Sequence, residues 1–214
     1  MSEELFQSMF ESTMAKAIIA LLIFSGLLII FLITDKKSAS AKPRALTFSA
    51  IAIAFAFVLN QITLFQLPQG GAITPLSMLF IVLVGYFFGL RQGLLAGICF
   101  GLLDLMIHPY VISPIQMLVD YPLAFGALGL SGLLRNRDSV IPGYLLGVSG
   151  RFVFSFLSGL IFFGMYAPEG FSGFTWSLVY NGSYLLGEAV LTVIVLAIPA
   201  VGKLIRQIKL TVTE

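Results

Sequence analysis

Charge is what this sequence has least of: only 10% of its 214 residues are Asp, Glu, Lys or Arg, against roughly 25% in a soluble chain. That scarcity excludes a soluble domain of this length. Cysteine is nearly absent as well. Cys99 is the only one and sits in an apolar segment, so a disulfide and a cysteine-ligated metal are both excluded and a packing role is expected. The single histidine, His108, stands beside Pro109, which leaves no second imidazole for a metal and points to a loop or capping role. The phosphate loop GxxxxGK[ST], HExxH and GxSxG are all missing, so no ATP hydrolysis by this chain, no enzymatic activity and no cofactor are expected. A net charge of +2, with no basic stripe, offers nucleic acid no footprint.

What is present is apolar. Hydrophobic residues make up 58% of the chain, and the mean hydropathy is +1.02. Runs close to the ~20 residues that cross a bilayer recur at 17–33, 45–64, 73–90, 93–107, 116–134, 141–165 and 176–201. The third and fourth are separated only by Arg91 and Gln92. Basic residues sort the loops. Lys36, Lys37, Lys42 and Arg44, then Arg91, then Arg135 and Arg137, then Lys203, Arg206 and Lys209 fall on one side only if there are seven crossings. The positive-inside rule makes that side the cytoplasm, with the N-terminus outside and the C-terminus inside. Loops 60–72, 108–114 and 166–175 hold no Lys or Arg and are rich in Pro, Gly and aromatics, as expected of outer loops. The opening MSEELFQSMFESTMAK is acidic where a signal peptide is basic, so the first run is expected to be a retained span. The expected organisation is an N-terminal helix and basic linker over 1–44, followed by a six-helix membrane domain over 45–214.

Ionisable groups at membrane depth cost several kcal/mol unless paired or facing a cavity, which singles out Asp104, Asp120, Arg151 and Glu188. For Asp104 and Glu188 a structural ion pair and a ligand role stay open, whereas Asp120 and Arg151 are read as ligand residues. Outer-loop groups around them, including His108, Tyr110, Gln116, Tyr121, Tyr166, Trp176, Tyr180 and Asn181, compose either a ligand site or an interfacial aromatic belt. Gly93, Gly97 and Gly101 at every fourth position let helix backbones approach closely. Ala50/Ala54 with Ala52/Ala56 form a small-residue stripe on the second span that fits a partner helix.

The segments LPQGGAIT, HPYVISPIQMLVDYPLAFGALGLSGLL, GRFVFSFLSGLIFFGMYAPEGF and SLVYNGSYLL, in that order, resemble the thiamine-specific substrate-binding component of energy-coupling factor transporters over about residues 45 to 205. The resemblance implies an all-α, six-helix membrane protein to which the N-terminal span is an addition. It also implies high-affinity thiamine binding from outside, and association with a transmembrane coupling protein and two cytosolic ATPases. Carried over by position, Asp120 is the acidic ligand, with Tyr121 beside it and Tyr110 and Gln116 upstream. Arg151 is the basic residue, Phe163 stacks on the ligand, and Trp176 and Asn181 are the aromatic and amide of the last helix. The family's small-residue docking stripe maps to Ala50, Ala52, Ala54 and Ala56. Ser155 stands where the family often has His, and Pro168 and Phe163 where it has tryptophan. The competing reading is a standalone proton-coupled transporter of thiamine or a related pyrimidine, with Asp104, Asp120 or Glu188 as the proton site.

Overall fold

The computed structural model describes residues 43–213, so the expected span 17–33 and nearly all of its basic linker lie outside the described residues. Six apolar helices and one amphipathic helix follow. Helix α1 (Pro43–Asn60) starts on a proline, which a first helical turn tolerates because that N–H has no partner anyway. It buries Ala45, Ser49, Ala52 and Ala56, a stripe at i, i+4, i+7 and i+11. Leu46, Ile51, Phe55 and Val58 remain outside on its other side, as a lipid-facing surface requires.

Helix α2 (Ser77–Phe88) is apolar nearly all round and almost wholly buried, so it forms the centre of the bundle. It ends at Gly89, whose φ of +92° turns the chain directly into α3 (Leu90–Ile107). The break therefore falls one position before the Arg91-Gln92 pair, which joins the first turn of α3. α3 lies against α4 (Pro114–Leu134) with backbones in near contact: a methyl group at Gly97 would sit 2.3 Å from the Phe125 carbonyl oxygen. Cys99 is exposed on the outer side of α3, so the expected packing role within the core is not what it has.

α4 is irregular for a reason visible in its sequence. Pro122 has no N–H and its ring collides with the carbonyl four residues back, so the helix widens into a π turn over Val119–Leu123. Asp120 and Tyr121 ride on that turn. Helix α5 (Ile141–Phe162) follows, then α6 (Gly173–Ala197), which opens on a capping box: Ser172 Oγ accepts from Thr175 N–H at 3.2 Å, and Thr175 Oγ1 accepts from Ser172 N–H at 3.0 Å. Five of these helices, α1 and α3 to α6, are long and apolar enough to cross a membrane, while α2 is shorter.

Pro199 ends α6 and begins α7 (Pro199–Thr213), so the break falls inside the expected span 176–201 and the basic residues Lys203, Arg206 and Lys209 lie on a separate helix. Its Val201, Ile205, Ile208 and Val212 form one face packed on the core. Lys209 donates to the Arg135 carbonyl and its ammonium lies 3.8 Å over the Tyr86 ring; burial and the adjacent Arg135 lower its pKa. Antiparallel connectivity places Arg44, Arg91, Arg135, Arg137 and the α7 cations at one end of the bundle. At the opposite end, the α1–α2 connection forms a short hairpin, β1 (Phe65–Gln66) antiparallel to β2 (Ala72–Ile73), in a loop with no strand expected.

Candidate ligand-binding site

Beneath the hairpin, α3, α4, α5 and α6 enclose a cavity of about 480 Å³. All eight residues expected to contact a ligand reach it: Asp120, Tyr121, Tyr110, Gln116, Arg151, Phe163, Trp176 and Asn181. Each wall follows from helical periodicity. On α6, Trp176, Tyr180, Tyr184 and Glu188 recur every fourth residue, with Ser177, Asn181 and Leu185 one step on, all on the same face. The aromatic members form a ladder, with ring centroids 5.6 Å apart for Trp176 and Tyr180 and 5.9 Å for Tyr180 and Tyr184. α5 contributes Arg151, Ser155 and Ser158 from one face. Phe163, just past its end, stacks on Tyr110 with centroids 5.7 Å apart and planes 28° apart.

The three carboxylates in the wall have different fates. Glu188, only 3% exposed, accepts from Thr74 Oγ1 at 2.7 Å, Ser77 Oγ at 3.1 Å, Met78 N–H at 3.0 Å and Thr74 N–H at 3.4 Å. It thus caps the N-terminus of α2, where free N–H groups and the helix dipole favour a negative charge. That is a structural role, but as a helix cap rather than an ion pair. Asp104 Oδ1 accepts from Asn60 Nδ2 at 2.6 Å and pairs with His108 Nδ1 at 3.1 Å, joining the ends of α1 and α3 at the cavity rim. His108 takes the capping role expected of it: its N–H donates to the Asp104 carbonyl at 2.8 Å. Asp120 Oδ2 accepts from Gln116 Nε2 at 2.5 Å and is the carboxylate left facing the cavity without a helix end or a histidine to hold.

Gln116 is only 1% exposed and its amide is used by the protein: Oε1 accepts from Ile112 N–H at 3.1 Å, and Nε2 donates to the Tyr110 carbonyl at 3.0 Å as well as to Asp120. Its geometry orients Asp120 and the 108–113 loop. Tyr121 is similarly engaged, its hydroxyl donating to the His108 carbonyl at 2.7 Å and accepting from Tyr110 N–H at 2.8 Å. Asn181 Oδ1 accepts from the Tyr184 hydroxyl at 3.0 Å. Arg151 has no ion pair among the described residues; its guanidinium carbon lies 3.9 Å over the Phe125 ring and its Nε is buried with no hydrogen-bond partner there. The hairpin closes the top, where Tyr180 hydroxyl accepts from Gly71 N–H at 2.9 Å and donates to the Pro68 carbonyl.

The small-residue stripe on α1 divides. Residues two apart in a helix are about 200° apart around its axis, so Ala50/Ala54 and Ala52/Ala56 cannot share a face. Ala50 and Ala54 are exposed, whereas Ala52 (2% exposed) and Ala56 (0%) are packed inside the bundle, which corrects the expectation that all four form one docking surface. Tyr184 and Ser158 belong to the cavity wall but were absent from the expected site. The signal was present in the spacing, since Tyr184 falls two turns after Trp176 and Ser158 two turns after Arg151.

The family model described as Thiamine transporter protein (Thia_YuaJ) matches residues 46–207. The Thiamine transporter ThiT of Bacillus subtilis is 30% identical over 166 residues, spanning 70% of this chain and 86% of that one. ThiT of Lacticaseibacillus paracasei is 28% identical over 172 residues, spanning 70% and 83%. The solved structure of ThiT from Listeria monocytogenes superposes with a TM-score of 0.62 at 25% identity, covering 78% of this chain and 93% of that one.

Proposed function

Because the chain belongs to the Thiamine transporter protein family, we propose that it is a high-affinity thiamine-binding membrane subunit of an energy-coupling factor importer. It is a multi-pass cell-membrane protein. The observation that carries the substrate reading is the cavity itself: one available carboxylate, Asp120, faces an aromatic ladder and a stacked Tyr110–Phe163 pair in a space of about 480 Å³. Thiamine has a cationic thiazolium, an aminopyrimidine with donors and acceptors, and a hydroxyethyl tail. A carboxylate takes its amino group or balances its charge, and aromatic faces add stacking and cation–π attraction of about 0.5–2 kcal/mol.

Import needs an energy source, and the sequence carries no nucleotide-binding motif. In this reading the basic end of the bundle faces the cytoplasm, and the exposed Ala50/Ala54 face of α1 docks on a transmembrane coupling protein served by two cytosolic ATPases. In the same reading the binding domain begins at residue 45. Proteoliposomes test this directly. The chain alone is expected to bind thiamine without accumulating it under a proton gradient, and to accumulate it with ATP once the coupling module is present. Accumulation by the chain alone on a proton gradient would instead establish the standalone transporter.

A further inference from the structure

The hydroxyl of Ser158 is an anomaly in this fold. Several buried helical hydroxyls are satisfied: Ser49 Oγ donates to the Ala45 carbonyl at 2.7 Å, Thr192 Oγ1 to the Glu188 carbonyl at 2.8 Å, and Ser131 Oγ to the Val82 carbonyl at 2.9 Å; the Tyr144 hydroxyl shares the condition of Ser158 but does not line the cavity. Ser158 is only 1% exposed, yet its Oγ has no hydrogen-bond partner among the described residues. A buried polar atom left so is rare in native structures and asks for an explanation. The explanation lies in what Ser158 faces. It lines the cavity, on the same face of α5 as Arg151, whose Nε is the other cavity-wall atom without a partner there. Its hydroxyl also stands beside the Asp120 carboxylate, near enough to donate to it, although the contact falls short of a full hydrogen bond.

A hydroxyl beside a carboxylate presents one donor next to one acceptor. That is the complement of an aromatic ring nitrogen adjacent to an exocyclic amino group. Resting on the thiamine reading above, we propose that Ser158 is a specificity-determining contact, donating to the pyrimidine nitrogen next to the amino group while Asp120 accepts from that amino group. The hydroxyl is thus kept free of the helix backbone so that the ligand can complete it.

Two opposed readouts test this. Calorimetric titration of thiamine into Ser158→Ala is expected to show affinity weakened about five- to thirtyfold, the effect of losing one buried hydrogen bond. The melting temperature without ligand is expected to stay the same or rise, because an unpartnered buried polar atom has been removed. A thiamine analogue with C–H in place of that ring nitrogen closes the cycle: the wild type prefers thiamine by the same factor, and Ser158→Ala shows almost no preference. Unchanged affinity in Ser158→Ala overturns the inference, as does a fall of affinity and ligand-free melting temperature together, or a retained preference for thiamine over the analogue. A wild type that does not bind thiamine overturns the functional reading and this inference with it.

Discussion

Replacing Glu188 with glutamine preserves its size and removes its charge, which isolates what the α2 cap contributes. One carboxylate oxygen serves Thr74 Oγ1 (2.7 Å) and Thr74 N–H (3.4 Å), and the other serves Met78 N–H (3.0 Å) and Ser77 Oγ (3.1 Å). Whichever way the amide turns, one pair meets an NH₂ group. A hydroxyl can reverse and accept, but a backbone N–H cannot, so one buried donor is stranded at about 1–3 kcal/mol. Loss of the charge at the helix N-terminus removes about 0.5–1 kcal/mol more, and relief of the carboxylate's own desolvation offsets part of the total. The net expectation is about 2 kcal/mol, or a drop in melting temperature of about 4–8 °C for a chain of this size. Thermal unfolding of the detergent-purified, ligand-free protein measures it. Thr74→Val should lower stability too, and the double variant should lose less than the sum, because the two groups are 2.7 Å apart. Unchanged melting in Glu188→Gln, or strict additivity with Thr74→Val, would refute the capping role.

Asp120→Ala and Asn181→Ala are each expected to weaken thiamine binding by about 2 kcal/mol or more, read by calorimetry, because ligand groups are left unpaired; wild-type affinity in both would remove them from the site. Ala54→Trp on the exposed face of α1 is expected to abolish ATP-driven uptake with thiamine affinity intact, whereas Ala56→Leu, on the buried face, should cost about 1–3 kcal/mol of stability. Wild-type uptake by Ala54→Trp would contradict the docking assignment, and wild-type melting of Ala56→Leu the packing. Gly97→Ala places a methyl 2.3 Å from the Phe125 carbonyl oxygen, so a large fall in melting temperature or in folded yield is expected; wild-type melting would show that α3 and α4 pack less closely.

Much of this architecture was legible in the sequence because membrane helices announce themselves by length and hydropathy, and because basic residues mark one end of the bundle. What hydropathy could not resolve was conformational. The α2–α3 turn sits at Gly89 because that position takes φ of +92°, while the more conspicuous Arg91 and Gln92 are helical. Helix α7 continues past Pro199 on a period-3.6 stripe that a search for spans does not weigh. The hairpin is two residues per strand, too short to carry an alternation signal.

Site residues divided in the same way. Asp120 and Arg151 stood out because charge is rare at membrane depth, and Trp176 because it falls among the polar and aromatic groups of the outer loops. Ser158 and Tyr184 did not, since a serine or tyrosine acquires meaning only when its helix face is known. Asp104 and Glu188 also find structural partners far away in sequence, Asn60 and the 74–78 segment, which no local pattern connects to them.

Trp176 is the only tryptophan in the chain and lies on the cavity wall, its ring 5.6 Å from Tyr180. Its fluorescence therefore reports occupancy of this cavity directly. Titration of the purified protein with thiamine is predicted to change that emission saturably at submicromolar ligand, with one molecule bound per chain and the response weakened in Asp120→Ala. An emission that does not respond to thiamine, with no binding heat by calorimetry, would contradict the assignment of this cavity to the vitamin.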